Sequence, residues 1–193
     1  MRFAAERGRR MNRVMDKDLE LIEAPLSAEE LAARYRDMCY DRRFANVPGK
    51  VELDSWGRVL MTPASVYHGQ VQGRLSHKLA TLGGATLIEV GIATPDGVFV
   101  PDLAWASAQF MRQHAGEIVL TGAPEVCIEV VSPSNSVREL EEKRAAYLTA
   151  GADEVWIVYL KSGRCELFGK DGAIARSRYP VDLGGLFDSP PGT

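Results

Sequence analysis

The chain has 193 residues, of which 46% are hydrophobic and 25% are charged. This balance is typical of a globular protein with an apolar core and excludes a chain that is disordered throughout. The net charge of −3 and the isoelectric point of about 5.7 exclude the basic surface of a protein that coats nucleic acid, but not an enzyme that binds a few phosphates through a local patch.

The length predicts a single domain, which we place at residues 21–188. Residues 1–20 are rich in arginine and contain no apolar signal segment, so they are predicted to form a disordered basic tail, with a phosphate-binding arm as the alternative. No apolar run approaches the roughly 20 residues of a membrane span. Three widely separated cysteines favour a reducing, cytoplasmic location.

The first predicted elements are a helix and a hairpin. Ser27 and Glu30 have the spacing of a capping box, which predicts a helix over about 28–42. Pro48-Gly49 then breaks the chain. Two short runs at 51–54 and 58–62 predict a hairpin that turns at Ser55-Trp56-Gly57.

A long helix is predicted from about Ser65 to Leu82, where Gly83-Gly84 ends it. His68 continues the apolar stripe of this helix. We interpret it as a hydrogen-bonded core histidine, with a metal ligand as the less favoured alternative. A short helix and a loop are predicted over 108–121. Strands are predicted at 85–91, 98–106, 125–131, 154–160, 164–169 and 173–178.

The clearest part of the pattern is a strand, a helix and a second strand between Gly122 and Tyr159. Ser136 and Glu139 have capping-box spacing, and Gly151 is placed to end the helix in a left-handed conformation. Lys143 borders the buried stripe of this helix. The order of elements predicts a right-handed crossover between parallel strands.

Two acids interrupt apolar runs. Glu129 lies inside a strand that is apolar on both faces, and Asp102 follows Pro101 in another apolar run. An unpaired buried carboxylate is costly, so Glu129 must be protonated, paired, hydrogen-bonded or bound to a metal. Together the two acids would offer hard oxygen ligands to one Mg²⁺ or Mn²⁺, with Lys143 as a nearby cation and Glu52 as a third acid.

Each of these residues also has a simpler interpretation. Asp102 could be a turn carboxylate at the entry of a strand, and Glu52 could be solvated in its hairpin. Lys143 and Glu139 could form an exposed i,i+4 pair worth only about 0.3–0.5 kcal/mol. Spacing alone leaves these alternatives open.

The motifs resemble those of the Uma-two family, bacterial proteins of the PD-(D/E)XK, restriction-endonuclease-like superfamily. The resemblance covers about 50–168 and is most specific in its second half. It is carried by Pro101-Asp102, by the segment Pro124–Ser136 (PEVCIEVVSPSNS), by Lys143 with Tyr147, by the segment Gly151–Val158 (GADEVWIV), and by Val51–Gly57 (VELDSWG) and Thr62-Pro63-Ala64 with His68 upstream.

The resemblance implies an α/β fold with a restriction-endonuclease-like core, in which helices flank a mixed central sheet. It also implies a divalent-metal site with Asp102 and Glu129 as ligands, Glu52 as the N-terminal acid and Lys143 as the catalytic lysine. The superfamily usually places this lysine two residues after the second acid, where Val131 stands. Lys143 on the helix is therefore its substitute by position.

We interpret the chain as an Mg²⁺- or Mn²⁺-dependent endonuclease that hydrolyses phosphodiester bonds in DNA, with a homodimer as a further expectation. One alternative is a catalytically silent module that binds nucleic acid or protein. The other is a metal-dependent hydrolase of a small phosphorylated substrate. A basic groove beside Asp102 would favour DNA, whereas a closed, narrow pocket would favour the small substrate.

Overall fold

The computed structural model describes residues 24–45, 50–62, 65–132 and 135–188, so the predicted basic tail over 1–20 lies outside the described residues. The helices are α1 (Ala28–Tyr40), α2 (Val66–Leu79), α3 (Ala108–Gln113) and α4 (Val137–Thr149). The strands are β1 (Lys50–Asp54), β2 (Val59–Thr62), β3 (Ala85–Ile88), β4 (Ile92–Thr94), β5 (Gly97–Phe99), β6 (Leu103–Ala106), β7 (Val126–Val131), β8 (Glu154–Tyr159), β9 (Arg164–Gly169) and β10 (Gly172–Ile174).

The larger sheet has six strands in the order β10-β9-β8-β7-β6-β3. Strands β7 and β8 are parallel, whereas the other neighbours in this sheet are antiparallel, so the sheet is mixed. Helix α4 connects the two parallel strands, so the predicted strand–helix–strand unit with parallel strands is confirmed.

Helices α2 and α4 cover opposite faces of this sheet, because successive side chains of a strand point to opposite sides. The cluster on the α2 face includes Val71, Leu75, Leu79, Val126, Ile128, Val130 and Trp156. The cluster on the α4 face includes Ala104, Cys127, Leu140, Ala146, Tyr147, Val155 and Ile157. The predicted α/β architecture, a mixed central sheet flanked by helices, is confirmed.

A second sheet has four strands in the order β2-β1-β5-β4. The predicted hairpin is present as β1 and β2, with Val51 opposite Met61. Helix α1 packs on this sheet through a small apolar cluster that includes Leu31, Leu53 and Val98. The strand β1 carries Glu52 toward the larger sheet.

The predicted strand over 98–106 is wrong, because the chain changes sheets in the middle of this apolar run. Strand β5 belongs to the four-stranded sheet and β6 to the six-stranded sheet. Val100, Pro101 and Asp102 form the link between them. Since Pro101 has no N–H to donate to a ladder, the strand stops there, and Asp102 is freed from regular pairing.

Several element ends also differ from the sequence prediction. Helix α2 stops at Leu79 and continues as a 3₁₀ turn to Leu82, and the strands predicted at 85–91 and 173–178 are shorter. Ser136 caps α4 as predicted, but the carboxylate of Glu139 accepts from the side-chain amide of Asn135 instead of completing a capping box. None of the helices in the described part of the chain is long and apolar enough to cross a membrane.

Candidate active site

The four predicted site residues lie together where the two sheets meet. Glu52 comes from β1, Asp102 directly precedes β6, Glu129 lies on β7 and Lys143 on α4. Each of them has at most 4% of its surface exposed. Because an isolated buried charge is costly, the contacts among these groups decide what the cluster can do.

Lys143 pairs with Glu52. Its Nζ donates to Glu52 Oε1 at 2.9 Å and lies 3.6 Å from Glu129 Oε1, whereas Glu139 Oε1 is 4.0 Å away. The alternatives of a solvated Glu52 and of an exposed pair between Lys143 and Glu139 are therefore wrong. Glu52 Oε1 also accepts the backbone N–H of Val100 at 2.7 Å, which ties β1 to the link between the sheets.

Glu129 is surrounded by donors on the α4 face of the sheet. The hydroxyl of Tyr147 donates to Oε1 at 2.7 Å, and the Nζ of Lys50 lies 3.4 Å from Oε2. Burial raises the pKa of Glu129 above its ordinary value, and the charges of Lys50 and Lys143 oppose that rise. The acid that interrupts an apolar strand thus has two cations and a phenol as partners.

Asp102 lies one residue before β6 begins. Leu103 pairs with Ile128, so one further step along the antiparallel register sets Asp102 opposite Glu129. Asp102 Oδ2 accepts the backbone N–H of Val130 at 2.7 Å and lies 3.2 Å from His68 Nε2.

These contacts set the electrostatics of Asp102. Burial would raise the pKa of Asp102, but the hydrogen bond with His68 and the charge of Lys50 outweigh burial and lower it to about 2. The same hydrogen bond raises the pKa of His68 above its usual value, against the effect of burial. His68 is therefore a buried, hydrogen-bonded histidine that orients Asp102, and Asp102 Oδ1 is directed at a different group.

That group is Lys50, which the sequence analysis missed. Its Nζ lies 3.0 Å from Asp102 Oδ1 and 3.4 Å from Glu129 Oε2, and only 8% of its side chain is exposed. Burial would lower the pKa of Lys50, but the charges of Glu129 and Asp102 outweigh it and raise that pKa. The available signal was alternation, since Lys50 stands two residues before Glu52 and shares its strand face.

Tyr147→Phe tests the hydrogen-bond geometry around Glu129. The change removes the hydroxyl that donates to Glu129 Oε1 and leaves a buried acceptor with one partner fewer. We expect the free energy of unfolding of the metal-free protein to fall by about 1–3 kcal/mol, as measured by urea denaturation. In the Glu129→Gln background the same change should cost less, and equal costs in both backgrounds would contradict the contact.

The carboxylate pair fits a divalent cation in its chemistry. Asp102 Oδ1 and Glu129 Oε2 converge on one nitrogen within 3.4 Å, and Mg²⁺ is commonly held by one or two carboxylates together with waters and substrate phosphates. The described residues hold no group of three or more His, Cys, Asp or Glu side chains arranged for a metal. A metal here would therefore depend on two protein carboxylates and on oxygens from outside the protein.

A cleft of about 860 Å³ opens onto Glu52 and Lys143 between the β1–β2 hairpin and α4. Its described lining has more carboxylates than cations, so the cleft does not match the basic groove expected for DNA. The carboxylates are Glu52, Asp54, Asp96, Glu139 and Glu142, and the cations are Arg58, Arg138 and Lys143. Arg58 is paired with Asp54 and Arg138 with Glu142.

The fold is similar to that of a solved protein from Anabaena variabilis, described as "a putative nuclease belonging to DUF820". The two chains are 15% identical, and the match covers 84% of this chain and 98% of that chain with a TM-score of 0.58. At this identity the likeness shows a shared fold. No match was found among curated proteins.

A family model supplies the closer assignment. The Uma2 model, described as "Putative restriction endonuclease", matches residues 32–191. This range includes Glu52, Asp102, Glu129 and Lys143, and it confirms the resemblance inferred from the motifs. The chain therefore belongs to the Uma2 family.

Proposed function

We propose that this protein is a metal-dependent endonuclease that hydrolyses phosphodiester bonds in DNA. The observation that carries the proposal is the convergence of Asp102 Oδ1 and Glu129 Oε2 on one cationic nitrogen, with the ammonium of Lys143 beside Glu129. Two carboxylates that share a cation and lie beside a lysine have the composition needed for metal-assisted phosphoryl transfer. Membership in the Uma2 family supports nuclease chemistry.

In this proposal Asp102 and Glu129 hold Mg²⁺ or Mn²⁺. These oxygens would hold the ion, which would supply a charge that polarises a phosphoryl oxygen and lowers the pKa of a bound water. The surrounding residues fix the two carboxylates: the Val130 N–H and His68 hold Asp102, and Tyr147 holds Glu129. Such outer contacts set the direction in which a ligand oxygen points.

Lys143 supplies positive charge where negative charge develops on the phosphate. Its Nζ is held by Glu52 Oε1 at 2.9 Å, so Glu52 acts by positioning the lysine. Because the ammonium is already oriented in a buried site, little reorganisation is needed in the transition state. In this proposal Lys143 of α4 takes the role of the lysine that the superfamily usually places where Val131 stands.

The alternative of a small phosphorylated substrate is favoured by the charge of the cleft. Its described lining carries five carboxylates and three cations, which repels an extended polyanion more than a small ligand. The arginines within residues 1–20 lie outside the described residues and are a further source of positive charge for DNA. A catalytically silent binding module remains as the outcome if no substrate is turned over.

The deciding assay compares substrates under identical metal conditions. We expect cleavage of single- or double-stranded DNA with Mg²⁺ or Mn²⁺, with no cleavage when a chelator is present. Turnover of a small phosphodiester without any cleavage of DNA would favour the small-substrate alternative. Metal binding without turnover of either substrate would favour the silent module.

Metal binding is expected to stabilise the native state, because the ion binds the folded site and not the unfolded chain. At a Mg²⁺ concentration of about 100 times Kd, the free energy of unfolding should increase by about 2.7 kcal/mol, which corresponds to a rise in Tm of about 5–10 °C. Glu129→Gln should blunt this response in differential scanning fluorimetry. Glu142→Gln changes an exposed acid in the lining of the cleft beside Glu52 and Lys143; it is the matched control and should respond like wild type. An undiminished response in Glu129→Gln would place the metal elsewhere.

A further inference from the structure

The ammonium of Lys50 stands at the point where the proposed metal would bind. Its Nζ lies 3.0 Å from Asp102 Oδ1 and 3.4 Å from Glu129 Oε2, the same two oxygens that would ligate the ion. Oxygen–metal distances of about 2.0–2.6 Å would put the ion in essentially the volume that the ammonium fills. The two cations therefore exclude each other sterically.

The charges of the buried cluster lead to the same conclusion. With the carboxylates ionised and His68 neutral, Glu52, Asp102 and Glu129 bring three negative charges, and Lys50 and Lys143 bring two positive charges. Adding a divalent ion while Lys50 stays would leave an excess of positive charge in a buried site. If the ion replaces Lys50, the three carboxylates are balanced by the ion and Lys143, which is the arrangement that burial favours.

We propose that Lys50 is a built-in counter-ion that holds the Asp102–Glu129 pair in the metal-free protein and leaves the site when a divalent cation binds. This inference rests on the metal site of the proposed function. Lys50 is the first residue of β1, and a four-carbon stem carries its ammonium, so the charge can move while the strand remains paired. The exchange keeps the carboxylates oriented before metal arrives and makes metal affinity depend on the release of one lysine.

The exchange predicts a metal-dependent change in the accessibility of one amine. Wild-type protein is treated with an amine-acetylating reagent, with and without Mn²⁺, and each lysine is followed by mass spectrometry. We expect Lys50 to be protected without metal and to react at least about tenfold faster with Mn²⁺, because a buried, paired group reacts only when it opens. The exposed Lys170 is the internal control and should react equally in both conditions.

Metal affinity provides the second measurement. Lys50→Met keeps the apolar stem and removes the competing charge, so Mn²⁺ should bind at least about tenfold more tightly in calorimetry, since the ion no longer displaces a partner. Without metal the same variant should have a lower Tm than wild type, and saturating Mn²⁺ should reduce that deficit. Lys170→Met removes the same charge from an exposed turn and should leave both quantities unchanged.

The outcomes separate this inference from the proposed function. If wild type binds Mn²⁺ but Lys50 stays protected, or if Lys50→Met binds no more tightly, the inference is overturned and the metal site stands. If neither protein binds Mn²⁺, the proposed metal-dependent function fails and the inference fails with it. Should Lys50→Met not fold, the labelling of wild type decides the question.

Discussion

Lys143→Ala is expected to lower the rate of DNA cleavage by about 10²-fold, the loss typical of removing one electrostatic stabiliser from an active site. The Nζ of Lys143 is 2.9 Å from Glu52 and 3.6 Å from Glu129, so it is fixed beside the proposed metal ligands without ligating the ion. The loss should therefore appear in kcat, while calorimetric Mn²⁺ affinity is retained. Single-turnover cleavage at saturating metal is the measurement.

Stability must be separated from catalysis in this experiment. Removing one partner of a buried ion pair costs about 3–5 kcal/mol, because the remaining charge is left without compensation. Circular dichroism at the assay temperature shows whether Lys143→Ala is folded. Lys143→Gln is the gentler variant, since its amide can still donate to Glu52, and its cleavage rate should nonetheless fall.

Lys143→Arg should recover part of the rate, because the positive charge is kept while the planar guanidinium changes the geometry. An exposed lysine change, Lys161→Ala, should have no effect on rate or folding. Equal rates for wild type and folded Lys143→Ala would assign the lysine a structural role. That result would also mean that Lys143 does not substitute for the lysine that the superfamily usually places where Val131 stands.

Two acids of the candidate site, Glu129 and Asp102, were predictable because they break a pattern. Glu129 stands in a strand whose two faces are otherwise apolar, and that mismatch alone required a partner. The structure supplies Tyr147, Lys143 and Lys50 as partners. A local pattern can reveal that a charge is unsatisfied, but it cannot reveal which distant residue satisfies it.

Lys50 shows this limit. It contacts Asp102, which is 52 positions away in the sequence, and Glu129, which is 79 positions away. A lysine at the start of a hairpin strand has the ordinary properties of a solvated residue, and nothing within a few residues marks it as buried. Only its two-residue spacing from Glu52 indicated a shared face, and that spacing becomes informative once Glu52 is known to be buried.

The change of sheet at Pro101 was missed for a different reason. The run from Val98 to Ala106 is apolar almost throughout, and a buried run of this kind fits one long strand as well as two short ones. Pro101 was the available signal, but a proline in a strand is equally consistent with an edge strand or a strand start and does not by itself indicate a transfer to another sheet. The transfer is what brings Glu52 of the smaller sheet within reach of Lys143.

Asp102→Asn is expected to abolish measurable Mn²⁺ binding and to reduce cleavage by about 10³-fold or more. Metal assistance is worth several kcal/mol of transition-state stabilisation, and each 1.4 kcal/mol is about tenfold in rate. The amide has nearly the shape of the carboxylate, and its oxygen can still accept the Val130 N–H that Asp102 Oδ2 accepts at 2.7 Å. The fold should therefore survive, while the charge that attracts the metal is lost.

The matched control for this change is Asp96→Asn, which removes the same charge from an exposed position in the lining of the cleft beside Glu52 and Lys143. It should bind Mn²⁺ and cleave DNA like wild type, because Asp96 faces solvent and not the Asp102–Glu129 pair. If both variants lost activity equally, the effect would come from the loss of one negative charge and not from the position of Asp102. If Asp102→Asn bound Mn²⁺ as tightly as wild type, the ligands would lie elsewhere, and the contact between Asp102 and Lys50 would be a structural ion pair at the junction of the two sheets.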